Sequence, residues 1–123
     1  ANWAGRIQVG SVGHELVDFS DWLPTLAAIA GAKVENKIDG VSFYSTLFRT
    51  RRHQARAFAF SESKGGKAYV RTKQYKLYND GRYFDIRADA VEKKPLKDVT
   101  GRAAKDLELL RAAMQKLNFP KQK

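Results

Sequence analysis

The sequence predicts an α+β fold: a small antiparallel sheet of three or four strands with a packed C-terminal helix, preceded by a strand–helix piece. Three patterns carry that expectation. Short Tyr- and Val-rich runs between residues 56 and 87 are broken by Asn79-Asp80-Gly81, a hairpin signal. Residues 101–117 set Leu107, Leu110, Met114 and Leu117 on one helical face. Residues 21–30 repeat apolar side chains at i, i+3, i+4 and i+7.

Taken in order, residues 1–19 are short apolar pieces between Gly5, Gly10 and Gly13, which reads as a strand and turns. In the helix over 21–30, Leu23, Leu26, Ala27 and Ala30 form the stripe, and Trp22 and Ile29 widen it. Ser20 or Asp21 can cap its first turn, and Pro24 falls where a missing N–H breaks no helical bond. Gly31 ends it. Residues 33–56 read as a linking region with a turn at Asp39-Gly40 and a short apolar piece, Phe43–Phe48. The strand candidates are Ala57–Phe60, Ala68–Val70, Tyr75–Tyr78 and Tyr83–Ile86. The last helix has Thr100 as N-cap, Ala103 and Ala113 beside its apolar face, and Arg102, Lys105, Glu108, Arg111 and Lys116 pointing elsewhere.

Composition bounds the function. At 123 residues the chain fits one domain, and 43% apolar residues suffice for a core. It has no cysteine, which excludes disulfides, thiolate metal ligands and a cysteine nucleophile within these residues. No apolar run approaches the roughly 20 residues of a membrane span, and no charged-then-apolar leader occurs. The chain opens Ala-Asn-Trp without a methionine, as a mature product or an excised piece would. The formal charge of +10 favours anionic partners. Arg49, Arg51, Arg52 and Arg56, with His53 among them, fall within eight residues, and Lys121 and Lys123 close the chain. No RNP, zinc-finger or helix-turn-helix pattern accompanies them, so a solvated loop is favoured over a nucleic-acid site.

No complete active site emerges. His14 and His53 lack metal-ligand spacing to each other or to an acid pair. No Gly-x-Ser-x-Gly elbow occurs, and Gly65-Gly66 lacks the context of a phosphate loop. Asp18 and Asp21 could share a helical face, but they straddle a helix start, where acids cap and complement the dipole. His14, before Glu15, reads as a surface or hydrogen-bonded histidine.

Several stretches nevertheless match one family in order. Trp3-Ala4-Gly5-Arg6-Ile7-Gln8-Val9-Gly10 resembles Trp-Pro-Gly-x-Ile-x-x-Gly, with Ala4 in place of proline. His14-Glu15-Leu16 and then Asp21-Trp22-Leu23-Pro24-Thr25-Leu26 resemble a segment ending Asp-x-x-Pro-Thr-Leu. Asp39-Gly40-Val41-Ser42-Phe43 with Leu47 matches Asp-Gly-x-Ser-Phe…Leu, although Ser45 stands where proline is usual. Val70-Arg71-Thr72 and Tyr75-Lys76-Leu77 resemble Val-Arg-Thr…Tyr-Lys. Tyr83-Phe84-Asp85-Ile86 and then Asp89 to Leu96 are similar to Leu-Tyr-Asp-Leu…Asp-Pro-x-Glu-x-x-Asn-Leu, with Ala90 and Pro95 departing from it. Together these resemble the C-terminal portion of a sulfatase, in the arylsulfatase branch of the alkaline-phosphatase-like superfamily.

The resemblance implies that residues 1–48 form the C-terminal edge of a large α/β domain and residues 49–123 a C-terminal subdomain of sheet and helix. It implies a parent that hydrolyses sulfate esters with calcium and a formylglycine made in a Cys/Ser-x-Pro-x-Arg signature. Those motifs lie upstream in the family and none occurs here, so no catalytic or metal residue is carried onto this chain, which is expected to be inactive alone and to need no cofactor of its own. The implied partners are the N-terminal catalytic part of the same parent and, through it, a sulfated substrate. A periplasmic or secreted location is expected for a bacterial parent. Candidate cleft-bordering elements are the basic connection carrying Arg49, Arg51, Arg52, His53 and Arg56, and the Ser61–Lys67 turn. The competing reading is an independent basic module that binds a polyanion, either nucleic acid or a sulfated polysaccharide.

Overall fold

The computed structural model describes residues 1–50 and 55–118 and divides the chain into two compact units, Ala1–Arg56 and Ala57–Lys123. In the first unit a single 3-10 turn, Phe19–Asp21, leads into α1, Trp22–Ala30, and a short second helix, α2, spans Tyr44–Phe48. The strand expected within residues 1–19 does not form. Its donors are taken by local turns, with Arg6 N and Ile7 N both donating to the Trp3 carbonyl and Ser11 N to that of Gln8. A strand also needs a neighbouring strand for its ladder, and no other is present among the described residues of this unit.

At the start of α1 the N-cap position is Asp21, but its side chain makes no capping bond on that helix. The capping box lies on the preceding 3-10 turn: Asp18 Oδ1 accepts from Ser20 N at 3.0 Å while Asp21 Oδ2 accepts from Asp18 N at 2.8 Å. At the other end Gly31 takes the expected left-handed conformation, φ 69°. The short apolar piece Phe43–Phe48 is helical over Tyr44–Phe48, and it ends at Arg49, φ 50°.

The second unit is the predicted sheet and helix. Strands β1 (Ala59–Glu62), β2 (Ala68–Arg71), β3 (Tyr75–Tyr78) and β4 (Tyr83–Asp85) pair antiparallel in the order β1-β2-β3-β4. The registers Phe60↔Val70, Val70↔Leu77 and Leu77↔Tyr83 line up one face. Against that face packs α3, Gly101–Lys116. Leu110 and Val70 are fully buried there beside Leu77, Tyr83 and Ala113. Two polar bonds fix the helix on the sheet. The Tyr83 hydroxyl donates to the Ala103 carbonyl at 2.9 Å, and Thr72 Oγ1 donates to Asp106 Oδ2 at 2.9 Å. Thr100 occupies the cap position of α3, yet its side chain makes no capping bond. The first strand begins two residues later than Ala57, because pairing to β2 rather than apolarity decides which residues extend.

Candidate functional site

The strongest polar constellation of the first unit centres on Asp21, 1% exposed. Its Oδ1 accepts from Val41 N at 2.7 Å and its carboxylate pairs with Arg56, whose Nε lies 2.9 Å from Oδ2 and whose Nη2 meets Oδ1. Arg56 Nη2 also donates to Ser20 Oγ at 3.1 Å and to the Asp39 carbonyl at 3.0 Å. One turn along α1, Thr25 Oγ1 donates to the Asp21 carbonyl at 2.7 Å and accepts from Phe43 N at 3.0 Å. The start of α1, the Asp39–Phe43 loop and Arg56 are thereby tied into one polar hub. Gly40 is needed at its rim, since a Cβ there would meet the Ser20 carbonyl oxygen at 2.2 Å.

The electrostatics follow from this packing. Burial pushes the Asp21 carboxyl up, but the Arg56 bond and the Asp18 and Val41 amides outweigh it and hold the group below its ordinary value. The hydrogen bond to Asp21, working against burial, raises the Arg56 guanidinium further. Such a carboxylate is ionised at neutral pH and saturated with donors. It is built to hold the fold, and a proton shuttle needs the opposite.

The predicted basic cluster is divided by the structure. Arg56 is committed to Asp21, with 7% of its side chain exposed. Arg49 is exposed and lines a separate cavity of about 350 Å³ with Ser11, His14, Glu15, Thr46 and Leu47. Arg51, Arg52 and His53 lie outside the described residues, as do Lys121 and Lys123. The Ser61–Lys67 turn is the β1–β2 hairpin of the second unit, closed by Ser63 N donating to the Lys67 carbonyl at 2.8 Å.

No family model matches the chain. Arylsulfatase A of Bos taurus is 37% identical over 83 residues, which are 63% of this chain and 16% of that protein. A solved structure assigned as a sulfatase from Bacteroides thetaiotaomicron superposes with a TM-score of 0.60 at 28% identity, covering 78% of this chain and 23% of that one. The chain is similar to part of a sulfatase. A 2-O GAG sulfatase gives the same picture, with a TM-score of 0.55, 25% identity, and coverage of 80% and 23%. The sulfatase-like chain therefore spans less than a quarter of the length of these relatives.

The residues of the sulfatase-like chain do not fit the calcium and formylglycine that the resemblance implies. There is no cysteine and no serine two residues before any proline, and no group of three His, Asp or Glu residues converges among the described residues. Asp21, the most buried carboxylate, is already filled by Arg56 and two amides.

What sequence reasoning missed is the pairing between motifs. Asp21 of Asp-x-x-Pro-Thr-Leu bonds Val41 of the Asp-Gly-x-Ser-Phe element, and Lys76 of the Tyr-Lys strand bonds Glu92 of the last element at 2.7 Å. The signal available was the spacing of unlike charges in separate motifs, which names no partner without a fold.

Proposed function

We propose that this chain is the C-terminal portion of a sulfatase-type sulfuric ester hydrolase that supplies scaffold and no reactive groups. The observation that carries this reading is α1. Its predicted apolar stripe is turned outward: Leu23 is 58% exposed and Leu26 53%, while polar Thr25 is fully buried on the opposite side. With Trp3, Val9, Val12, Val17, Phe19 and Trp22 also exposed, most of the exposed large apolar side chains among the described residues sit in the first 26. An apolar surface of that extent on a chain matching a fraction of larger enzymes belongs against more protein.

In this reading residues 1–48 complete the large α/β domain of the parent and residues 49–123 form its subdomain. Calcium and formylglycine are supplied by the upstream part, and the parent is periplasmic or secreted. No catalytic or metal-ligating role falls to any residue of this chain. Arg49 borders the substrate cleft, where its positive charge attracts a sulfated substrate. The test is turnover of an aryl sulfate by the purified 123 residues with added calcium. None is expected, and cleavage that survives repurification and scales with the chain's concentration would end the proposal.

The net charge of +10 favours the second reading, a polyanion-binding module. Binding of the purified chain to heparin with a steep salt dependence, together with no affinity for an upstream sulfatase portion, would support it instead.

A further inference from the structure

Lys76 lies mid-strand in β3, on the face of the sheet opposite α3, with 15% of its side chain exposed. An ammonium so placed must find its solvation within the protein. Its Nζ sits 4.1 Å from the centroid of the Tyr69 ring and 4.6 Å from that of Tyr78, inside the range where a cation is attracted by an aromatic face. The two tyrosines are cross-strand partners with centroids 5.7 Å apart. Opposite them, Glu92 Oε1 accepts from Lys76 Nζ at 2.7 Å, and Oε2 accepts from the Tyr78 hydroxyl at 2.5 Å. Phe84, 1% exposed, stands edge-on to Tyr78 at 6.0 Å and backs the cluster.

Two aromatic walls and one carboxylate are the ingredients of a receptor for an organic ammonium ion. Glu92 reaches the site from the segment joining β4 to α3, and it does so in a left-handed backbone conformation, φ 57°, that disfavours a non-glycine residue. The same segment returns to the sheet at Leu96, whose N–H donates to the Tyr83 carbonyl at 2.8 Å.

We propose that Tyr69, Tyr78 and Glu92 form a binding cage for a primary alkylammonium, and that its resident ligand is the chain's own Lys76, which latches the 86–96 segment to the sheet. The assignment is independent of the sulfatase reading. It gives a physical reason for Lys76 of the Tyr75-Lys76-Leu77 stretch and Glu92 of the Asp89–Leu96 stretch to occur together, since one is the ligand and the other its counter-charge.

Emptying the cage in the full chain tests this. Lys76→Ala removes Cγ, Cδ, Cε and Nζ and leaves a void no larger than n-propylammonium. Millimolar n-propylammonium chloride is expected to raise the melting midpoint of Lys76→Ala, while matched sodium chloride and n-propanol do not, and the unsubstituted chain stays unresponsive because its cage is full. Adding Glu92→Gln is expected to abolish the response. A propylammonium shift equal in all three proteins, or none in Lys76→Ala, would overturn the proposal. If Lys76→Ala does not fold, Lys76→Met keeps the stem without the charge, and hydrogen exchange reads the latch. The Leu96 amide is then expected to exchange about tenfold faster with Val70 unchanged, and wild-type protection at Leu96 would refute the latch.

Discussion

Asp21 shows how one side chain decides the architecture around it. A buried ion pair stripped of one partner leaves an uncompensated charge, which costs about 3–5 kcal/mol. Asp21→Asn is expected to lose a comparable amount in denaturant unfolding, because Arg56 loses its counter-charge and one of the two amide donors, Asp18 N or Val41 N, then faces an NH2 in place of an acceptor. The same residue sets a pH dependence. Asp21 is held below its ordinary value in the fold, so the unfolded chain binds its proton more readily. Its stabilisation is complete above the unfolded value of about 3.9 and is lost as pH falls through the folded one. Between pH 5 and pH 2 the melting midpoint of the wild-type chain should therefore fall more steeply than that of Asp21→Asn; parallel slopes would assign the acid sensitivity to other carboxylates. Gly40→Ala forces a Cβ onto the Ser20 carbonyl and is expected to destabilise by about 1–3 kcal/mol in the same measurement.

Among elements, the sheet and α3 were the parts most legible in the sequence, because their burial pattern is local. Val70 and Leu77 alternate with half-buried neighbours as period two requires, and Leu110 sits at the centre of a 3.6-residue stripe. Leu110→Ala is expected to cost about 2–5 kcal/mol. Its neighbour Leu109, 40% exposed, should change stability by less than about 0.5 kcal/mol when truncated, and chemical denaturation of the two variants reads the contrast. The first unit was less legible. Residues 1–19 have strand-like apolar pieces but no partner, and nothing local announces that. Ser20 or Asp21 was the cap the sequence offered for α1, but the Asp21 carboxylate is claimed by Val41 and Arg56, which are distant in sequence, and Asp18 caps the preceding 3-10 turn. Of the predicted basic site, the charges were plain in the sequence. That Arg56 is consumed as an internal counter-ion while Arg49 faces a cavity depends on tertiary pairing that no spacing encodes.

At the scale of the whole molecule, α1 turns Leu23 and Leu26 outward and Thr25 inward. The proposed reading packs that outward stripe against the rest of a sulfatase parent. The isolated chain should bind a hydrophobic dye, and Leu23→Gln with Leu26→Gln should lower that fluorescence while leaving the far-ultraviolet circular dichroism of the helices and sheet intact. Unchanged fluorescence would mean that the dye reports some other surface. The likeness to a minor fraction of arylsulfatase A and of two solved sulfatases points the same way. The most direct test is the size of the natural polypeptide carrying these residues, read by intact mass after capture with an antibody against the α3 segment. The account predicts a product several times heavier than the 13.9 kDa of this chain, cleaving an aryl sulfate. A captured product of about that mass alone, functioning without any further polypeptide, would contradict it.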